Sequence, residues 1–134
     1  MAADFHVLCA GAVKGLVLAL QEGFERDADV RLDARFGAVG AMRDELRAGA
    51  PCDVFVATEA MVAALEASGE LRAGSGAAIG SVKTAVAVRQ EAPTPAIDSA
   101  DALRAALLGA EALYFPDATR STAGAHVAAM LDQL

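Results

Sequence analysis

The amino-acid sequence predicts an α/β fold, an open, mostly parallel sheet with helices on both faces, and three observations carry that prediction. Short apolar runs alternate with longer segments whose apolar residues recur at helical spacing, the order of successive βαβ units. One run, residues 52–57, is almost continuously apolar, as a parallel strand covered on both faces should be. Small-residue turns, Gly11-Ala12-Val13 and Gly37-Ala38-Val39-Gly40, stand where strands pass into helices.

Taken in order, residues 5–10 form the first strand, and residues 12–24 form a helix with Leu16, Leu20 and Phe24 as its apolar stripe beside Val13 and Val17. That helix is expected to close in the charged Glu25-Arg26-Asp27. Residues 30–36 alternate Val30, Leu32, Ala34 and Phe36 with Arg31, Asp33 and Arg35, the pattern of an edge or half-buried strand. A helix over residues 40–47 pairs Met42 with Leu46 and stops at Gly49, ahead of Pro51. Strand 52–57 follows, then a helix capped by Thr58, with Glu59 in its first turn and Gly69 at its end. Residues 71–80 are a loop. Val82, Thr84, Val86 and Val88 alternate within a fourth strand, 81–89, and Pro93 and Pro95 stiffen the connector after it. Ser99 caps a helix over residues 100–108, residues 112–115 form a fifth strand, and residues 123–134 form the last helix.

The chain has 134 residues with 11 basic and 18 acidic side chains, a formal charge of −7, and 34 of its residues are alanine. Leu, Val, Ile, Phe and Met must therefore supply a thin core. Scattered basic residues in an acidic chain give no footprint for a phosphate backbone, so nucleic acid is not an expected partner. No window approaches the length of a membrane span. Residues 1–4 lead straight into the first strand without a basic, apolar leader; the expected compartment is the cytoplasm for the chain as it stands, or the periplasm if an export signal has been removed. Cys9 falls at the C-terminal end of one strand and Cys52 at the N-terminal end of a neighbour, an offset of several residues at ~3.3 Å each that no disulfide spans. Both are expected to be buried free thiols.

In an open α/β sheet, ligands bind beyond the carboxyl ends of the strands, where helix N-termini offer unpartnered N–H groups and partial positive charge. One glycine at such a turn only permits a tight connection. Three turns at one end of the sheet, the two above and Ser121-Thr122-Ala123-Gly124, point to a small oxyanion. Arg120 is the charged residue best placed to touch it, while Lys14 and Arg43 read as solvated surface charges. Gly74-Ser75-Gly76-Ala77-Ala78-Ile79-Gly80 misses the dinucleotide spacing and follows a helix instead of a strand. Cys9 has no arginine closing a phosphatase-like loop at Gly15, and His6 and His126 lie in no Cys, His or carboxylate cluster.

At these turns the sequence resembles the molybdate-binding component of bacterial ABC importers, a type II periplasmic-binding-protein family. The residues that carry the resemblance are Val7-Leu8-Cys9-Ala10-Gly11-Ala12, Phe36-Gly37-Ala38-Val39-Gly40, Ala48-Gly49-Ala50-Pro51-Cys52-Asp53-Val54-Phe55-Val56-Ala57, and Pro116-Asp117 with Thr122-Ala123-Gly124. The resemblance implies a two-lobed clamp that closes on molybdate or tungstate through backbone N–H groups and a few hydroxyls, with anion contacts falling on Ala12, Val39 and Ala123. Serines are usual at the first two places, and each hydroxyl absent from Ala12 and Val39 weakens oxyanion binding by ~1–3 kcal/mol. The resemblance also implies a first lobe over residues 1–110 and an incomplete second lobe over residues 111–134: either the chain is a fragment of a longer product, or another copy of the chain completes that lobe.

The expected function is thus solute binding without enzymatic activity, cofactor or metal. Gly11, Ala12, Val39, Gly40, Arg120, Thr122 and Ala123 bind the oxyanion, and an ABC permease is the partner. A cytoplasmic sensor that has lost or changed its ligand is the alternative. An enzyme with Cys9 as nucleophile is the weakest reading.

Overall fold

The computed structural model describes residues 2–134, which fall into two compact units, one ending at Val82 and the other running Lys83–Leu134. The first unit runs β1 (Ala3–Ala10), a 3-10 turn (Gly11–Val13), α1 (Lys14–Ala28), β2 (Val30–Gly37), α2 (Val39–Arg47), β3 (Val54–Val56) and α3 (Glu59–Ala67). Its three strands are parallel in the order β2-β1-β3, so the predicted α/β class with an open parallel sheet holds. Central β1 contributes Val7, Leu8 and Cys9 to the core, which Val39 and Met42 of α2 and Leu65 of α3 complete. Edge strand β2 alternates half-buried Val30, Leu32, Ala34 and Phe36 with exposed Arg31, Asp33 and Arg35, as its sequence pattern predicts.

Local chemistry sets the element ends. Gly49 and Gly69 follow α2 and α3 at φ +85° and +80°, a left-handed conformation that glycine adopts without steric cost. Helix α1 continues through Glu25-Arg26-Asp27, where the sequence reading placed its close, and ends at Asp29 with φ +53°. The Glu25 carboxylate accepts the Leu32 N–H at 2.7 Å, which binds the last turn of the helix to β2 and gives a charged residue an interior role. At the start of β3, Asp53 is bracketed to the backbone of His6. Its N–H donates to the His6 carbonyl and its carboxylate accepts the His6 N–H, both at 2.8 Å. That donated hydrogen bond holds the Asp53 carboxyl below its usual range. The two thiols are free as expected, although Cys52 is only half-buried.

The stripe on α1 differs from the expectation. Leu16 and Leu20 are exposed, and the half-buried positions include Val13 before the helix and Val17, Gln21 and Glu25 within it. The helix carries leucine on more than one face, and a small sheet covers only one of them. Phe24 keeps a partial contact, its ring centroid 5.2 Å from that of Phe5.

The second unit contains α4 (Ala100–Leu108) and α5 (Thr122–Gln133). The predicted fourth and fifth strands, 81–89 and 112–115, are not strands among the described residues. Alternation records which faces a segment would present, but a strand exists only when a neighbour accepts and donates its backbone hydrogen bonds, and neither segment has one. Their side chains line an open apolar cavity of about 590 Å³ together with Ile97, Leu103, Val127 and Met130.

Candidate functional site

The register of β1 and β2 decides what the first two turns do. Ala10 stands opposite Gly37, so the chain leaves both strands at the same level and the turns after them lie side by side. Gly11 is where they touch: a Cβ there would sit 3.7 Å from the Gly37 carbonyl oxygen. Gly11, Ala12, Val39 and Gly40 are thereby brought together at the carboxyl end of the sheet.

Neither helix start carries a side-chain cap. Ala10 precedes the 3-10 turn and Ala38 precedes α2, and neither supplies a side-chain acceptor, whereas Thr58, Ser99 and Ser121 accept N–H groups of α3, α4 and α5. The 3-10 turn closes with the Lys14 N–H on the Gly11 carbonyl, and the first backbone bond of α2 is the Met42 N–H to the Ala38 carbonyl. The N–H group of Ala12 in the 3-10 turn and those of Val39, Gly40 and Ala41 in α2 come before the first helical donor of each and have no helical partner. Such donors, with the aligned peptide dipoles behind them, favour an anion.

The side chains around the donors are neutral and small. Gly11 and Ala12 are exposed and Gly40 is half-buried. Val39 is only 5% exposed, so its side chain belongs to the core beside Met42 and only its N–H is available to a ligand. Lys14, expected as a solvated surface charge, is the first residue of α1 and holds its Nζ 5.4 Å from the Phe36 ring centroid, next to Gly37. Nothing in the spacing marked that cation; the Cys9↔Phe36 register and the true helix start do. Arg43 is engaged by its neighbour Asp44 at 2.8 Å.

Arg120, Thr122 and Ala123 sit together at the start of α5 in the second unit. The cap there is taken, because Ser121 Oγ accepts the Gly124 N–H at 3.3 Å. Asp117 Oδ1 accepts from Thr119 Oγ1 and N, both at 2.7 Å, and from Arg120 N at 3.1 Å. Those bonds, the Thr119 hydroxyl first, hold the Asp117 carboxyl below its usual range. A carboxylate that stays ionised lowers the attraction of this turn for a second anion. Cys9 donates its thiol to the Ala10 carbonyl at 3.3 Å, and burial pushes its pKa up, the reverse of an activated thiolate.

The chain is 29% identical over 130 residues to an aconitate isomerase from Pseudomonas sp., an alignment covering 93% of this chain and 48% of the relative. It thus spans about half the relative's length. That relative is an enzyme, which overturns the expectation of a chain without enzymatic activity: a protein of related sequence catalyses a reaction. A solved structure, described as the substrate-binding domain of a molybdenum ABC transporter from Clostridium difficile, aligns at TM-score 0.45 and 25% identity. The alignment covers 50% of this chain and 30% of that one. The family model of bacterial extracellular solute-binding proteins matches residues 5–134. With that match covering nearly all of its length, the chain belongs to the bacterial extracellular solute-binding proteins.

Proposed function

We propose that the chain binds a small oxyanion of the molybdate or tungstate type at the paired turns after β1 and β2, as the solute-binding partner of an ABC permease. The observation that supports this reading is the juxtaposition of two uncapped helix starts by the Ala10↔Gly37 register, within a solute-binding family. Backbone donors recognise the anion, and Lys14 adds a positive charge beside them.

A second reading of the ligand is favoured by the aconitate isomerase relative: the same donors take a carboxylate of an organic acid. Neither Ala12 nor Val39 offers a hydroxyl, and backbone N–H groups alone serve a carboxylate's two oxygens as well as they serve a tetrahedral ion.

Calorimetric titration with molybdate, tungstate, sulfate, citrate and aconitate tests both readings. Saturable heat with molybdate or tungstate, stronger than with sulfate, supports the first, and saturable heat confined to the organic acids supports the second. No heat and no thermal stabilisation with any of the five contradicts both.

A further inference from the structure

The turn after β2 is packed from beneath by one side chain. Met42 stands in the first turn of α2, its N–H on the Ala38 carbonyl at 3.0 Å, and helical side chains lean toward the helix N-terminus. Its thioether runs back under Gly37, the last residue of β2: a Cβ on Gly37 would lie 2.9 Å from Met42 Cε and 3.8 Å from Sδ. As packed, the methionine leaves room for glycine alone. Met42 is 3% exposed, so its methyl cannot swing aside into solvent without giving up core contacts. The other side of Gly37 meets the first turn. Its carbonyl oxygen is 3.7 Å from where a Cβ on Gly11 would stand, and Ala10↔Gly37 is the last pair of the β1–β2 ladder. Gly37 thus lies between Met42 and the Gly11 turn.

We propose that Met42 is a positioning residue for the anion site: its thioether, wedged beneath Gly37, holds the turn after β2 against the turn after β1 and so sets the distance between their N–H donors. The inference rests on the reading that these paired turns bind the anion. Neither helix start has a side-chain cap to fix it, and Gly37 has no side chain of its own to pack, so the turn is held by what lies against it. Met42 offers the ligand no contact, because its side chain is buried and apolar. It acts through the backbone above it. Truncation to alanine leaves a void into which Gly37 relaxes, and donors that converge on one ion lose part of their preorganisation.

Amide spectra of the ligand-free chain, followed by titration with molybdate and with aconitate, test this on the wild type, Met42→Ala, Met42→Leu and Leu65→Ala. Leu65 is as deeply buried as Met42 but lies in the second half of α3, so its truncation reports the effect of a core void alone. Met42→Ala is expected to move the Gly11 and Ala12 resonances, across the ladder from the substitution, and to weaken binding about tenfold, the loss of one well-aimed bond to a charged group. Leu65→Ala should leave those resonances in place and the affinity within about twofold. Met42→Leu, which refills the void, should recover most of the affinity. Gly37→Ala presses on the same contact from the other side and decides the matter where Met42→Ala does not fold: its methyl must displace Met42 Cε, so the same resonances should move and the affinity fall. Gly11 and Ala12 resonances unmoved by both substitutions overturn the proposal, as does an affinity loss in Leu65→Ala equal to that in Met42→Ala. A wild type that binds neither anion removes the anion reading and the proposal together, whereas a wild type that binds with an affinity indifferent to Met42→Ala and Gly37→Ala removes the proposal alone.

Discussion

Gly124 shows how a single position can be read for the wrong property. In the sequence it belongs to a small-residue turn that exposes backbone donors. In the structure it is buried, and a Cβ there would overlap the carbonyl oxygens of Pro116 and Asp117, so the missing side chain serves packing. Gly124→Ala is expected to destabilise the chain by about 1–3 kcal/mol, read from the urea midpoint, because the clashing atoms are backbone and cannot rotate away. Glu70 carried no signal of its own. Arg47 holds its carboxylate through two bonds at 2.6 and 3.1 Å, Ser68 adds one at 2.6 Å, and together they lower its pKa from 4.5 to about 2. A carboxyl whose folded-state pKa is depressed contributes stability above its unfolded pKa and loses it as pH falls toward the folded value. Thermal melts between pH 4.5 and 2 should therefore decline less steeply for Glu70→Gln than for the wild type. Equal slopes would remove Glu70 as a contributor. Asp53 was legible only as part of a family-like motif; its bond to the His6 N–H supplies the physical reason for an acid at that place.

At the scale of elements, sequence reading worked where the determinant is local. Thr58 and Ser99 act as the caps expected of them, and Gly49 and Gly69 stop α2 and α3. It failed where the determinant is a distant partner, as in 81–89 and 112–115, whose alternation holds no information about which strand they would join. The uncapped start of α2 offers a trade-off that can be measured. Ala38 already has the extended backbone of an N-cap, with φ −61° and ψ 144°. Ala38→Ser is expected to stabilise the chain by about 0.5–2 kcal/mol, since a serine oxygen there would accept an open N–H. The same hydroxyl competes for a donor the anion needs, so anion affinity should fall by about 1.5–3 kcal/mol, the worth of a hydrogen bond to a charged group. Stabilisation with unchanged affinity would show that the start of α2 does not bind the ligand.

Over the whole molecule, charge and binding pull in opposite directions. A net charge of −7 repels an anion at long range, while in the proposed site the open helix starts attract it at short range. Stopped-flow association should consequently speed up as salt is added, because screening removes the repulsion before it affects the short contacts. A rate that falls with salt would indicate steering by a positive surface. The α/β class and the paired turns were legible because strand–helix alternation fixes which loops share an end of a parallel sheet. The depth of Val39 and the position of Lys14 were not, since both depend on register and packing that a linear pattern does not contain.

The central claim is that backbone N–H groups at two adjoining helix starts bind the ligand. Amide chemical-shift mapping by NMR during titration with molybdate, and in parallel with aconitate, tests it most directly. The expected result is saturable shifts at Ala12, Val39, Gly40 and Ala41 with at least one of the two anions. Saturable shifts confined to other residues, or none with either anion, would contradict it.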